Sequence, residues 1–215
     1  LVGSEMCIRD RSDSTAAYDA ETEGWKFMVK GKDAGGDGST KAFAAVMSAE
    51  QGGSVSGMTV TYEVVMTLKD AGTNRNFQVF YNGSKNKSIL KTNPSGTCYL
   101  LGIDDSDDYR FSPQNGHKYR FTYTFDLAAQ KVTASAADLT DGGTEVKRTP
   151  ETETGFDNIV KFKHEFSPKQ ADGEKYTYLH SVKAYTVSDN SVEIDQEVMS
   201  VLPPCAGDPI SLSLI

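Results

Sequence analysis

This 215-residue sequence lacks the long apolar run of a membrane-spanning helix and the composition of a disordered chain. No apolar run approaches the ~18 residues that a membrane-spanning helix needs. Hydrophobic residues make up 38% of the chain and charged residues 24%, a balance that suits a packed core and that disordered tails lack. The sequence therefore predicts a folded chain without membrane insertion.

Cysteine is scarce, since the chain holds only Cys7, Cys98 and Cys205. An odd number at such wide spacings excludes a disulfide framework and a site of paired thiolates. Two alternatives stay open for Cys98: a bridge to Cys205, or a buried thiol within a strand.

Positive charge is in deficit, with 22 lysines and arginines against 30 acidic residues and a net charge of −8 at pH 7. An acidic surface repels nucleic-acid phosphates and anionic lipid headgroups. Nucleic acid and membrane surfaces are therefore not expected as partners.

Helical periodicity and a phosphate-binding motif are also absent. Gly31 to Gly38 contains four glycines in eight residues, but a glycine-rich loop cradles phosphate when it leads into a helix N-terminus. Here Lys41 to Ser48 follows, and its apolar residues alternate as in a strand. The loop is interpreted as a turn, and no organic cofactor is expected.

The chain is instead rich in β-strand alternation, most clearly in its middle. Four aromatic residues alternate with polar ones, so that all four share one face: Tyr119, Phe121, Tyr123 and Phe125. After a short break, three small apolar residues continue the alternation: Val132, Ala134 and Ala136. The pattern predicts an antiparallel hairpin with one buried face.

Similar patterns predict strands at 25–29, 41–48, 58–68, 77–81, 88–91, 98–103, 156–166 and 174–187, and loops at 13–23 and 140–154. Asn82-Gly83 is a hairpin signal. Glu174 to Val187 carries apolar residues on both faces, which indicates a central strand or a bulge. About ten short strands without βαβ alternation predict an all-β fold, an antiparallel β-sandwich with jelly-roll topology.

Two segments resemble the concanavalin A-like, laminin-G-like sandwich modules of secreted bacterial multidomain proteins. Tyr119 to Asp126, running into Lys131 to Ala134, is similar to the family's hairpin of strand, Asp-Leu, turn and strand. Tyr176 to Tyr185 is similar to its closing strand, although His180 and Ser181 stand where relatives carry paired aspartates. The resemblance implies a carbohydrate-binding domain, a spacer or a catalytic glucanase located outside the cell.

The chain ends suggest further boundaries. Leu1 to Arg11 resembles translated sequencing adapter of the kind that contaminates metagenomic assemblies, and Ser211 to Ile215 looks similar. Val201 to Gly207 resembles the opening of an immunoglobulin-like repeat of bacterial surface proteins. Residues 1–11 are thus expected to be an artefact, 12–190 the sandwich module, and 191–215 a linker or the start of a truncated next module. Neighbouring modules of the same chain are then expected partners.

Aromatic residues near predicted loops or strand ends are the candidate ligand contacts: Trp25, Tyr81, Tyr99 and Tyr109. A sugar ring stacks its C–H face on an exposed aromatic ring while polar groups bind its rim. The alternative for each is packing in the core, above all for Trp25, which is in phase with Phe27 and Val29.

The densest acidic cluster is a candidate calcium site: Asp104, Asp105, Asp107 and Asp108. Ca²⁺ takes six to eight oxygen ligands, which such a loop can supply. The EF-hand pattern is not met, because glycine and glutamate do not fall at its offsets. The alternative is a solvated acidic loop.

Glu193, Asp195 and Glu197 resemble the Glu-x-Asp-x-Glu strand of laminarinase-like glycoside hydrolases. That likeness implies a nucleophile, an assisting acid and an acid/base of a retaining mechanism. Against it, the first and third positions lie ~13 Å apart along a straight strand, and Gln196 stands where the family carries an apolar residue. The histidines, at 117, 164 and 180, accompany no serine-nucleophile motif.

The sequence therefore favours a non-catalytic extracellular or cell-surface module that binds a glycan or another surface ligand within a larger secreted or surface protein. Two alternatives stay open: a structural spacer of a cell-surface adhesin, and a laminarinase-like hydrolase fragment.

Overall fold

The computed structural model describes residues 3–6, 14–30, 42–48, 55–56, 58–72, 74–82, 85–92, 95–103, 106–159, 161–168, 174–187, 193–194, 200–201 and 210–213. Within these ranges the chain forms twenty β-strands and a single 3₁₀ turn at Asp107–Tyr109. Among the same residues there is no helix with the length and apolar character that crossing a bilayer requires.

The strands are, in chain order, β1 (Gly3–Met6), β2 (Ser14–Asp19), β3 (Gly24–Lys30), β4 (Ala42–Ser48), β5 (Val55–Ser56), β6 (Thr59–Leu68), β7 (Asn74–Asn82), β8 (Lys85–Thr92), β9 (Cys98–Leu100), β10 (Arg110–Phe111), β11 (His117–Asp126), β12 (Lys131–Asp138), β13 (Thr144–Arg148), β14 (Thr152–Glu153), β15 (Asn158–Ile159), β16 (Lys161–Pro168), β17 (Glu174–Val187), β18 (Glu193–Ile194), β19 (Ser200–Val201) and β20 (Ile210–Ser213).

These strands form two large antiparallel sheets. The first sheet has the order β10-β9-β8-β7-β16-β4-β1-β20-β19. The second sheet has the order β13-β12-β11-β6-β17-β3-β2, with β14 paired to β12 and β18 to β17. β5 and β15 form a separate pair. The predicted all-β antiparallel sandwich is confirmed.

Aromatic rings from both sheets meet in the core. Phe80 of the first sheet lies with its ring centroid 4.5 Å from that of Tyr62 and 5.0 Å from that of Phe125, both in the second sheet. The Tyr62 pair is edge-to-face, the geometry that the aromatic quadrupole favours. The rows predicted for β6 and β11 therefore supply the second sheet's side of this contact, whereas Phe80 lies on the face of β7 opposite its predicted apolar row.

The predicted central hairpin is confirmed. β11 pairs with β12 from Tyr119 opposite Asp138 to Asp126 opposite Lys131, and its four alternating aromatics are buried. On its other side β11 pairs with β6 along ten positions. β6 lies between β11 and β17, so it is the central strand that its long alternating row predicts. Met58, just before β6, is an exception to that row because its side chain is exposed.

β17 is both central and bulged. It lies between β6 and β3, and its register against β6 shifts between Leu179 and Ser181. The extra residue moves the buried phase by one position, so Leu179 and Val182 are both buried. Simple alternation along the sequence would put these two residues on opposite faces, and it fails here because of the bulge.

Three other predictions from the pattern are corrected. The expected lead-in loop at 13–23 contains β2, which covers the edge of β3. The expected loose connection at 140–154 contains β13 and β14, which pair with β12. The single strand expected at 156–166 is divided into β15 and β16, which belong to different sheets.

The interior face of β7 is largely polar. Asn74, Asn76 and Gln78 are buried there, and His164 of β16 lies opposite Gln78 in register and is also buried. The apolar row that predicts the strand, Phe77 to Tyr81, is half-buried on the outer face instead. The Asn82-Gly83 hairpin itself is confirmed, since β7 pairs with β8.

Cys98 is a free thiol at the core end of β9. Its sulfur is buried, and burial raises the pKa of this thiol well above its ordinary value, which favours the uncharged form. Of the two alternatives for this residue, the structure has the buried thiol.

The two adapter-like ends also contribute strands, because β1 pairs with β20 and with β4.

Candidate functional site

The outer face of the second sheet carries a groove of about 330 Å³. Because the aromatics of β11 point into the core, the residues between them point outward. The groove crosses β6, β11, β12 and β13, and its lining is mostly polar: Glu63, Arg120, Thr122, Thr124, Thr133, Ala134, Ser135, Ala137, Gly143, Glu145 and Arg148. This volume falls at the lower end of the range for ligand sites.

Strand register arranges the groove in rows. Thr122 lies between Ser135 of β12 and Glu63 of β6, and Thr124 lies between Thr133 and Thr61 in the next row. The hydroxyl oxygens of Thr61 and Thr124 are 3.5 Å apart. These side chains present short donors and acceptors at regular intervals across the sheet, a pattern suited to a ligand with many hydroxyl groups.

Two arginines border the groove, and they differ in whether they are paired with a carboxylate. The Arg148 guanidinium binds Glu145 by two hydrogen bonds, of which the Nε–Oε1 distance is 3.1 Å. Arg120 makes no ion pair within the described part of the chain, and its side chain is exposed. Arg120 is therefore the guanidinium of the groove that can meet a ligand without first leaving a carboxylate.

Next to the groove, β17 presents three rings on the same face: Tyr176, Tyr178 and His180, here called the Tyr–His ladder. The ring centroids of Tyr178 and His180 are 6.2 Å apart with the planes nearly parallel, and Tyr176 meets Tyr178 edge-to-face at 5.6 Å. All three side chains are half-buried. β6 pairs with β17 and places Thr67 opposite Tyr178, and Glu63 of the same strand lines the groove.

His180 is held by two hydrogen bonds that fix its tautomer. Nδ1 lies 3.2 Å from the backbone oxygen of Glu23, which can only accept, so Nδ1 carries the proton. Nε2 lies 2.8 Å from Oγ1 of Thr67 and therefore accepts from that hydroxyl. Burial and the positive charge of Lys118 lower the pKa of His180, so the ring is neutral at neutral pH.

Lysines surround the ladder. The ammonium groups of Lys26 and Lys69 lie 4.6 and 4.4 Å from the centroid of the Tyr176 ring. Lys69 also donates a hydrogen bond to the Tyr176 hydroxyl, and this bond raises the pKa of Lys69. Cation–π contact with an aromatic face holds both ammonium groups over one ring.

The four predicted aromatic ligand contacts do not come together. Trp25 is only 1% exposed, so its ring offers no free face to solvent. Tyr99 is buried in the first sheet and Tyr81 is half-buried on that sheet's outer face. Tyr109, in the 3₁₀ turn, is half-buried with its hydroxyl 3.0 Å from that of Thr152.

Two of the four acidic candidates lie outside the described residues. These are Asp104 and Asp105, while Asp107 forms an ion pair with Arg110 and the Asp108 backbone N–H donates to Oγ of Ser106. In the described ranges no group of three or more histidine, cysteine or acidic side chains is placed to hold a metal ion. The calcium site remains a prediction.

The acids that resemble the laminarinase strand also lie largely outside the described residues. Glu193 begins β18 and pairs with Val187 through the backbone, whereas Asp195, Glu197 and the side chain of Glu193 lie outside the described residues. Their catalytic role remains a prediction.

Sequence reasoning missed the groove and the ladder. The signal for the ladder was the spacing Tyr-x-Tyr-x-His at Tyr176 to His180, which puts three rings on one strand face. The groove had no such signal, because its lining is assembled from four strands that are distant in sequence.

Comparison with known proteins supports the fold. No protein-family model and no curated protein sequence matches the chain. Among solved structures, it is similar to a GH131 β-glucanase catalytic domain from Podospora anserina (TM-score 0.53, 13% identity, covering 89% of this chain and 85% of that one). It is also similar to the alginate lyase AlgAT5 of polysaccharide lyase family 7 (0.55, 8%, 86% and 94%).

A third similar structure is lectin I of Ulex europaeus in complex with the methyl glycoside of α-L-fucose (0.51, 8%, 86% and 96%). At such identities these likenesses show the fold alone. The chain is a jelly-roll β-sandwich of concanavalin A-like type.

Proposed function

We propose that this chain is a carbohydrate-binding module that holds a glycan segment along the outer face of the second sheet. The observation that carries this proposal is the polar groove of about 330 Å³, which is lined in part by β6, the strand that pairs with β17 and its three half-buried rings. Rows of hydroxyls suit the polar rim of a sugar, and tyrosine rings suit its C–H face. Three proteins of similar fold that act on or bind carbohydrate support the same class of ligand.

We further propose that binding takes place without catalysis, in an extracellular or cell-surface setting and within a larger protein. The groove's carboxylates support this, because Glu63 on β6 and Glu145 on β13 stand on strands with β11 and β12 between them. That separation is ~14 Å at the backbone, so both side chains would have to extend toward each other to bring their carboxyls within the about 5–9.5 Å that a hydrolytic pair needs. In addition, Glu145 is already bound to Arg148.

The test is a binding titration of the chain against neutral and charged polysaccharides, with a variant that blocks the groove. Thr122→Trp places an indole among the groove hydroxyls, on a strand position that tolerates aromatics. Val79→Trp adds the same ring to the outer face of the first sheet and serves as the matched control. We expect the first variant to abolish binding and the second to leave it unchanged.

Three results would contradict the proposal. Equal binding by the two tryptophan variants would place the ligand elsewhere. Lack of binding to every polysaccharide would favour the structural spacer. Release of new reducing ends from a polysaccharide during incubation would favour a hydrolase over a binding module.

A further inference from the structure

The Tyr–His ladder lies in a locally positive part of a chain whose net charge is −8. Lys26 lies between the buried residues Trp25 and Phe27, so it points to the outer face of the second sheet, and Lys118 precedes the buried Tyr119. Lys69 follows the buried end of β6 and reaches the same face through its contact with Tyr176. These residues, Lys26, Lys69 and Lys118, are here called the three-lysine cluster.

Register explains why lysines distant in sequence meet around one ladder. Lys118 of β11 lies opposite Thr67 of β6, Thr67 lies opposite Tyr178 of β17, and Tyr178 lies opposite Lys26 of β3. This single row spans four strands, ~14 Å at the usual strand spacing. It has an ammonium group at each end and hydroxyls between them, with Lys69 beside it.

The chain neutralises this charge only in part, since the charge of Asp70 helps to raise the pKa of Lys69. Of the residues that the structure describes, no carboxylate forms an ion pair with any member of the three-lysine cluster. The carboxylate beside the ladder, Asp19, accepts hydrogen bonds from the backbone N–H groups of Glu21 and Thr22 and from the Tyr178 hydroxyl. Its two oxygens are thus engaged at the edge of the site and not over the Tyr176 ring, where the ammonium groups lie.

His180 is neutral and so does not add to the charge of the three-lysine cluster. Because Nδ1 donates to the Glu23 carbonyl and Nε2 accepts from Thr67, the ring adds no charge and keeps the Thr67 hydroxyl oriented. Gly24 allows this position, since a Cβ atom there would lie only 2.7 Å from Nδ1. The ladder is therefore an aromatic surface with a neutral imidazole at one end and two ammonium groups against the Tyr176 ring.

We propose that the three-lysine cluster and the Tyr–His ladder form a subsite for the charged group of an anionic polysaccharide, a carboxylate or a sulfate ester on the sugar ring. This inference rests on the proposed function and names its ligand class. The ammonium groups bind the anionic oxygens, the tyrosine rings contact the apolar face of the sugar, and the adjoining groove holds the neutral hydroxyls of the next units.

The experiment uses pairs of polysaccharides that differ in charge alone. Polygalacturonate is compared with its methyl ester, and dextran sulfate with dextran, by calorimetric titration of the full chain. We expect both charged polymers, or one of the two, to bind at least about tenfold more tightly than the matched neutral polymer. Binding should weaken as salt rises from about 0.01 M to about 0.15 M, because the Debye length falls from ~30 Å to ~8 Å. Preference for polygalacturonate would identify a carboxylate ligand, and preference for dextran sulfate a sulfate ester.

Variants locate the effect. The double variant Lys26→Gln with Lys69→Gln is expected to lose the preference for the charged polymer and to retain any binding of the neutral one. Lys91→Gln is the matched control, because its ammonium lies 5.9 Å from the ring centroid of Tyr99 in the first sheet, a similar contact away from the site. Circular dichroism and melting temperature confirm that all variants are folded.

The outcomes separate the two proposals. Equal affinity for charged and neutral partners, or an equal loss with Lys91→Gln and the double variant, would overturn the anionic subsite while the carbohydrate-binding function stands. Absence of binding to all four polymers would overturn the binding function itself.

Discussion

The ring of His180 packs directly against the backbone of Gly24. A Cβ atom at position 24 would lie 2.7 Å from Nδ1 of His180, closer than such atoms approach in proteins, and 3.0 Å from its Cε1. Gly24 opens β3 and His180 lies in the bulge of β17, so a glycine on one strand makes room for the ring of another. The ladder depends on this contact.

Gly24→Ala should therefore displace His180. The ring then becomes better solvated, and because burial is the largest cause that lowers the pKa of His180, this pKa should rise toward the ordinary value of 6.5. Loss of the hydrogen bond to the Glu23 carbonyl, which raises the pKa, opposes part of that rise. NMR titration of the histidine Cε1–H signals measures this, with His180→Asn to assign the resonance. Gly142→Ala, at a positive φ with open space around it, is the control and should leave the His180 titration unchanged.

Loss of the Phe80 ring should destabilise the protein much more than loss of the neighbouring Tyr81 ring. Phe80 is fully buried against rings of the second sheet, so Phe80→Ala is expected to lower the free energy of unfolding by about 3–5 kcal/mol. Tyr81→Ala removes a half-buried ring from the opposite face of β7 and should cost much less. Urea unfolding of the two variants gives the comparison, and equal losses would contradict the assignment of faces on β7.

Stability should fall in mild acid because of His164. Burial lowers the pKa of this imidazole from 6.5 to about 4, so the folded protein keeps it neutral while the unfolded chain takes up a proton. Stability from this group is present above pH 6.5 and is lost as pH falls toward 4, by about 3 kcal/mol over that interval.

His164→Phe should remove this part of the pH dependence, and its flanking residues Phe162 and Phe166 show that β16 accepts phenylalanine on its buried face. Chemical denaturation at pH 7 and pH 4.5 measures both proteins. If the variant loses as much stability in acid as the unchanged chain, another group is responsible.

Asp138 should contribute to stability at neutral pH. Burial acts to raise the pKa of its carboxyl, but hydrogen bonds from His117 at 2.8 Å and from the backbone of Thr140 and Asp141 lower it overall. This contribution is present above the ordinary pKa of 3.8 and is lost as pH falls through the lower value of the folded state.

Asp138→Ala leaves three donors without their acceptor and is expected to cost about 1–3 kcal/mol at pH 7. Asp126→Ala, at the other end of the same hairpin, is the comparison, since Asp126 is half-buried and accepts one backbone bond from Ala129. Thermal unfolding at pH 7 and near pH 3 tests both the cost and its pH dependence.

The amino-acid sequence by itself determined the strands that bury one aromatic face. In β11 and β6, side chains of alternating polarity leave a single register in which every ring is inside, so the hairpin from His117 to Asp138 and the central position of β6 could be predicted. The bulge in β17 could be expected from its mixed faces, although not its position.

Only the tertiary structure decided which face of β7 lies inside, because its polar residues are buried beside His164 and its apolar row is outside. It also decided the site. Lys26, Lys69 and Lys118 meet around Tyr176 to His180 through strand register between segments up to about 150 residues apart in the chain. Local alternation fixes which way a side chain points, but the neighbours it meets depend on pairing between distant strands, which no local pattern encodes.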